Sequence, residues 1–122
     1  MSFIKSTSTI TDIAITVPNL SGGTNGRVVR INGSNSATNA SYTDTVAQLN
    51  TILIKQGDIY YASGVVSGFS GLLVGSAYFL SNDGTITENA PTPTSSVKAL
   101  YLGFAINETD LVFRPGIPIA GN

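Results

Sequence analysis

The chain has no cysteine and no histidine, and each absence excludes chemistry. Without thiols there is no disulfide framework, no thiolate metal site and no redox motif, so packing and backbone hydrogen bonds must hold the fold. Without imidazole a Ser/His/Asp triad, a Cys/His pair and the common zinc sites are ruled out. Charge is scarce as well: Asp, Glu, Lys and Arg make up 11% of the residues, against about 25% in an average soluble domain. The six basic residues, Lys5, Arg27, Arg30, Lys55, Lys98 and Arg114, are scattered. No cluster lines a phosphate backbone with the several contacts that tight binding requires, which argues against nucleic acid as a partner. No apolar run approaches the roughly 18 residues of a membrane-spanning helix, and the segment from Met1 to Thr7 lacks a basic region followed by an apolar one. No membrane partner is expected, and synthesis in a cytoplasm is.

What remains is a chain of 122 residues, the size of one domain, in which 42% of residues are hydrophobic and the net charge is −1. At this length roughly two thirds of the unfolded chain's surface can be buried on folding. That balance is the opposite of a disordered segment, which combines few hydrophobic residues with high net charge. Near-zero charge also gives little protection against self-association, so the composition suits a part of an assembly.

The pattern along the chain predicts an all-β fold, a compact sandwich or barrel of short antiparallel strands, with an N-terminal extended arm. A breaker cluster from Pro18 to Gly26 divides the chain into an arm, residues 1–22, and a β domain, residues 23–122. In the arm, Ile13, Ile15 and Val17 alternate with Ala14 and Thr16, the period of a strand with one covered face. Because a lone strand is unstable in water, this segment with Phe3 and Ile4 either crosses to a neighbouring subunit or pairs in its own sheet. Phe3, Ile4, Ile13, Ile15 and Val17 are therefore the candidate assembly interface.

Beyond the breaker, Arg27–Ile31 reads as a strand ended by the turn pair Asn32-Gly33, and residues 34–43 read as loop. Asp44 or Thr43 is expected to cap one helical turn through Val46–Leu49. Ile52–Lys55 and Ile59–Ala62 flank Gln56-Gly57-Asp58 as a hairpin or bulged connection, extended by Val65-Val66. Gly68, Gly71 and Gly75 mark turns; no lysine and no helical pattern follows them, so a phosphate-binding loop is not the reading. Ala77–Ser81 and Thr85–Thr87 form a hairpin around Asn82-Asp83-Gly84. Residues 88–96, with two prolines, form a surface loop, and a last pair, Val97–Ile106 and Leu111–Phe113, brackets Asn107–Asp110 before Pro115 to Pro118 stops the strand.

The acids are Asp12, Asp44, Asp58, Asp83, Glu88, Glu108 and Asp110. A glycosidase needs two of them on facing walls about 5 to 10 Å apart. Most fall in or beside turns, where Asp binds nearby backbone, so no enzyme activity is expected. Asn82-Asp83-Gly84 and Glu108-Thr109-Asp110 are the nearest approach to a calcium loop but lack its acid spacing, and no metal or cofactor is expected. Tyr60, Tyr61, Tyr78, Phe79 and Tyr101 fall on strands, where alternate rings fill a core and their neighbours face out.

The stretch Val65-Val66-Ser67-Gly68-Phe69-Ser70-Gly71-Leu72-Leu73-Val74-Gly75-Ser76-Ala77-Tyr78-Phe79-Leu80-Ser81 resembles a "G-hydrophobic-x-x-G-x-x-Y-Y-L-S" segment of tailed-bacteriophage virion proteins. As in those proteins, Gly84-Thr85-Ile86-Thr87, a Pro/Thr loop and a closing strand over Leu102–Phe113 follow. The resemblance spans residues 57 to 114; Phe79 stands where a second Tyr is common, and the first 25 residues match no such pattern. It implies a virion structural β module, found both in capsid decoration proteins and in fibre or tail proteins. The expectation is a capsid decoration or cement protein, assembled in the host cytoplasm. It would act as a homotrimer on the outer head surface, with the major capsid protein or other virion proteins as partners. The alternative is a tail or head fibre module involved in host-surface attachment, and a particle enzyme such as a depolymerase ranks third. Short length favours decoration, because a fibre carries repeats or a shaft.

Overall fold

Short runs of β-branched and aromatic residues separated by Gly, Asn and Pro leave the backbone little choice but strands joined by tight turns. The computed structural model describes residues 14–121 and contains nine strands there. They are β1 Ile15–Val17, β2 Arg27–Gly33, β3 Ser36–Asn39, β4 Ile52–Gln56, β5 Ile59–Val66, β6 Ala77–Leu80, β7 Ile86–Thr87, β8 Tyr101–Ala105 and β9 Leu111–Phe113. All strand pairings are antiparallel, in the order β3-β2-β4-β5-β9-β8-β6-β7, with β1 also paired to β5. The sheet curls into a half-barrel, the all-β architecture of short antiparallel strands that the sequence predicts. No helix among the described residues is long and apolar enough to cross a membrane.

The main core lies inside the curl. Val28 of β2, Ile52 and Ile54 of β4, and Val66 of β5 meet Tyr78 and Leu80 of β6, Leu102 and Ala105 of β8, and Leu111 and Phe113 of β9. Strand β6 shows the logic simply: Tyr78 and Leu80 are buried while Ala77 and Phe79 are half-buried on the other face. In β8 strict alternation fails, since Leu102 and Ala105 both point inward although two residues separate them. The extra residue is Leu102, which falls between Gly103, paired with Tyr78, and Tyr101, paired with Phe79. A bulge of this kind bends the strand and increases its twist, which helps the sheet to curl.

The Asp-Gly hairpin ties the two ends of that curl together. Its turn, Asn82–Gly84, places Asp83 at φ 56, and the Asp83 carboxylate and carbonyl both accept from Arg27 Nη1 of β2 at 2.8 Å. Asn39 Nδ2 of β3 donates to the other carboxylate oxygen at 3.1 Å.

The outer face of β2, β4 and β5 is covered too. Val29, Ala37, Leu53 and Tyr60 form a second buried cluster, with Val17 and Leu20 packed over it. The segment from Val17 to Gly23 therefore acts as a lid. Tyr60 Oη donates to the Gly22 carbonyl at 2.7 Å, and Lys55 Nζ donates to the Gly22 and Gly23 carbonyls while lying 5.4 Å from the Tyr60 ring centre. Approach is so close at Gly22, at φ +101, that a Cβ there would sit 2.1 Å from the Ala37 carbonyl oxygen.

Three local expectations need correction. Strand β2 does not end at Asn32-Gly33; it runs through Gly33, the turn is Ser34-Asn35 with Asn35 at φ 54, and residues 36–39 form β3. That segment lacks a strand pattern, but Ser21 supplies the missing partner: its N–H donates to the Asn35 carbonyl and its carbonyl accepts from Ala37 N–H. The helical turn, α1 Val46–Leu49, is capped by Thr45 rather than by Asp44 or Thr43. Thr45 stands three residues before Gln48, the spacing of a reciprocal capping box, while Asp44 accepts from Arg30 Nε at 2.9 Å and Ser41 N–H at 2.8 Å. The last hairpin starts at Tyr101 instead of Val97, because Lys98 N–H donates to the Tyr42 carbonyl and Ala99 bridges Ile119 outside the main sheet.

Candidate docking surface

On β6, β8, β9 and the end of β5, the residues that alternate with the core form a continuous apolar strip. Register sets Ala77 beside Phe104, Phe104 beside Val112 and Val112 beside Val65, one row across four strands. The next rung sets Phe79 beside Tyr101, with ring centres 5.9 Å apart and planes at 74°, an edge-to-face contact. Arg114 rests its guanidinium 5.9 Å from the Phe104 ring centre, and no carboxylate lies on the row. Arg114 over Phe104 and Gly116 beside the Tyr101 ring shield part of this strip, so Ala77, Phe79, Tyr101, Phe104 and Val112 are half-buried and Val65 is exposed.

The strip runs on to a tip at the end of the half-barrel, where Leu73, Val74 and Ile106 are 52%, 66% and 45% exposed. Backbone bonds hold this tip firmly: Gly75 N–H donates to the Ala105 carbonyl at 2.8 Å and Ala105 N–H to the Ser76 carbonyl at 3.1 Å. Leu73 N–H donates to Tyr78 Oη at 2.9 Å, and Phe69 and Leu72 donate to the carbonyls of Thr109 and Glu108. A rigid apolar tip loses little conformational entropy on association, which favours docking over mere exposure.

Of the sequence-predicted interface, Phe3, Ile4 and Ile13 lie outside the described residues. Ile15 is on β1 with its side chain exposed, and Val17 is taken up in the lid. The described half of the arm thus pairs with β5 of the same chain. Sequence reasoning placed Phe79 and Tyr101 on strands but did not single out Phe104, Val112, Val65 or the Leu73-Val74 tip as a surface. Alternation tells that two faces exist; it does not tell that both are apolar.

Asp44, Asp83 and Asp110 are held in hydrogen bonds that shape turns. Asp110 accepts from Asn107 Nδ2 at 3.0 Å and Thr109 Oγ1 at 3.1 Å, closing the Asn107–Asp110 turn. Asp44 and Asp83 are bound as described above, Asp58, Glu88 and Glu108 are exposed, and Asp12 lies outside the described residues. Among the described residues no three of His, Cys, Asp and Glu group as a metal site would require.

These hydrogen bonds leave a trace in acid. The bond from Asn39, and after it the bond and charge of Arg27, hold the Asp83 carboxyl below its ordinary value; Asn107 and then Ser67 and Thr109 do the same for Asp110. A carboxyl depressed by folding stabilises fully above its unfolded value, and that contribution is lost as pH falls through the folded one. Stability is therefore expected to be flat between about pH 8 and 5 and to drop below about pH 4. Asp83→Asn should flatten part of that acid limb. Urea midpoints at pH 7 and pH 3 for both proteins check this, and identical acid losses would remove Asp83 from the account.

Searches of protein-family models, curated proteins and solved structures find no match to this chain.

Proposed function

We propose that the chain is a structural component of a bacteriophage particle, a capsid decoration or cement protein that binds the outer head surface and stabilises it. The observation that carries this reading is the apolar row from Phe79 and Tyr101 through Phe104 and Val112, which ends in exposed Val65 and in the exposed Leu73-Val74 tip, in a chain with 11% charged residues. Contiguous apolar surface of this kind marks an interaction site, and low charge lets copies approach without repulsion. Residues 57–114, which carry the resemblance to virion proteins, include those that build the strip. A symmetric oligomer, three-fold in this proposal, suits a position among capsid subunits, with the major capsid protein as partner.

Particles carrying labelled copies, viewed by electron microscopy, test the assignment. Label distributed over the head supports decoration. Label confined to the tail or to fibres turns the assignment to a host-attachment module, for which the outward Phe79–Tyr101 pair would offer a stacking surface for sugar.

A further inference from the structure

The most exposed large apolar side chains among the described residues are Ile117, Val74, Ile15, Ile119 and Leu73, at 79%, 66%, 60%, 58% and 52%. Four of these five fall into two patches at opposite ends of the half-barrel. We propose that the two patches meet head to tail between copies of this chain, the Leu73-Val74 tip of one copy seating on Ile117 and Ile119 of the next. This rests on the reading of the chain as part of an assembly but not on where in a particle it is used.

Strand β8 fixes where the patches lie. Its Ala105 end carries the tip through the bonds with Gly75 and Ser76. Beside its other end runs the closing segment of the chain: Gly116 N–H donates to the Tyr101 carbonyl at 2.9 Å, and Ile119 exchanges two bonds of 2.9 Å with Ala99. From Ala99 to Ala105 an extended chain rises about 20 Å. The patches of one copy therefore cannot touch each other, and a contact between them joins two copies. Ile117 and Ile119 both face outward because Pro118 between them is buried, the alternation of an extended segment. Beyond them Gly121 N–H donates to the Thr94 carbonyl at 2.8 Å, so the segment is tied down on both sides of the isoleucines. Like the tip, it is a fixed surface that loses little conformational entropy on contact.

Charge sorts the same way. Glu108 and Asp110 stand beside the tip, where the Glu108 carbonyl accepts from Leu72 N–H, and neither carboxylate makes an ion pair among the described residues. Arg114 is exposed at the start of the closing segment, with its guanidinium over the Phe104 ring and likewise no carboxylate partner among the described residues. The other described charges are matched or lie elsewhere. Arg27 pairs with Asp83 and Arg30 with Asp44, while Lys55 and Lys98 donate to backbone carbonyls. Asp58 is on the β4–β5 turn, and Glu88 follows β7 at the edge of the sheet. Acids beside one apolar patch and a cation beside the other make the two ends complementary, whereas two tips face to face would bring like charges together. Rim charges of this kind set orientation more than affinity, and the apolar side chains supply the affinity. Because the two surfaces differ, the contact is heterologous and closes into a ring when the rotation allows, three-fold in the oligomer proposed above.

Light scattering over a dilution series should find the unaltered protein at a multiple of 12.6 kDa at high concentration. Leu73→Ser with Val74→Ser, and separately Ile117→Ser with Ile119→Ser, should each weaken association about tenfold or more. Circular dichroism should stay unchanged, because all four side chains point away from the core. Arg114→Glu and Glu108→Arg should each weaken association as well. Mixed in equal amounts, those two charge variants should associate as the unaltered protein does, since each then meets the opposite charge on the other. A monomer at every concentration, a loss from only one of the two serine pairs or from neither, or a mixture no better than either charge variant alone would overturn the proposal. Those outcomes leave label on particle heads untouched. Label missing from heads with association intact would strike the assignment to the particle and not this contact.

Discussion

Gly103→Ala is expected to lower the thermal midpoint by roughly 15 °C or more, the largest effect of any single methyl group added to this chain. A Cβ at position 103 would lie 1.8 Å from the Val112 carbonyl oxygen and 2.9 Å from its carbon, and the residue sits at φ +152. Both obstructing atoms belong to the backbone of the paired strand β9, so no side chain can swing aside. Relief requires β8 to move off β9, and with it Leu102, Ala105, Leu111 and Phe113, all at most 1% exposed. Backbone strain and overpacking together cost about 4 kcal/mol, a large share of the roughly 5 to 15 kcal/mol that holds a domain folded. Differential scanning calorimetry decides it: a midpoint within a few degrees of the parent would mean that β8 yields easily and that the bulge is not a fixed part of the curl.

The second large effect is expected at Tyr60. Tyr60→Ala empties the centre of the second cluster, where the ring packs with Val29, Ala37 and Leu53, and removes the hydroxyl that holds the Gly22 carbonyl. Truncating a buried aromatic side chain costs about 3 to 5 kcal/mol, whereas Tyr60→Phe, which loses only the hydrogen bond, should cost about 1 kcal/mol. The alanine variant should also free the lid. The Thr24 amide, which donates to Asn39 Oδ1 at 2.8 Å, should exchange its hydrogen faster, while the β8–β9 amides keep their relative order. Equal losses for the Ala and Phe variants would show that the hydroxyl, and not the ring, secures the lid. The same contacts bear on truncation: a cut after residue 22 strips the second cluster of its cover, and a cut after residue 13 leaves it in place.

Much of the strand pattern was legible because it is written in local chemistry. The hairpins around Gly57-Asp58 and Asn82–Gly84 announce themselves by residues that tolerate positive φ, and both are observed. The helical turn at Val46–Leu49 was legible for the same reason, although two acceptable caps stood next to the one used. Strand β3 was not legible. Ser36–Asn39 has no β-branched alternation, and it becomes a strand only because Val29, Arg30 and Ile31 on one side and Ser21 on the other supply backbone partners. The candidate surface was half legible: the aromatic residues could be placed on strands, but their outward company could not be known before the register was.

By itself the sequence determined the class of protein. Absent cysteine and histidine, scarce charge, and short apolar runs between turn residues require a β fold without thiol or imidazole chemistry, because these are properties of composition and of neighbours along the chain. Tertiary structure decided the rest. How deeply each of two apolar faces is buried depends on what folds back over it: Val17–Gly23 covers Val29 and Tyr60, which are buried, while Phe104 and Val112 stay half-buried. Segments that meet across dozens of residues settle such a question through register and close approach, as at Gly103 and Gly22, and neither is encoded in the period of a single strand.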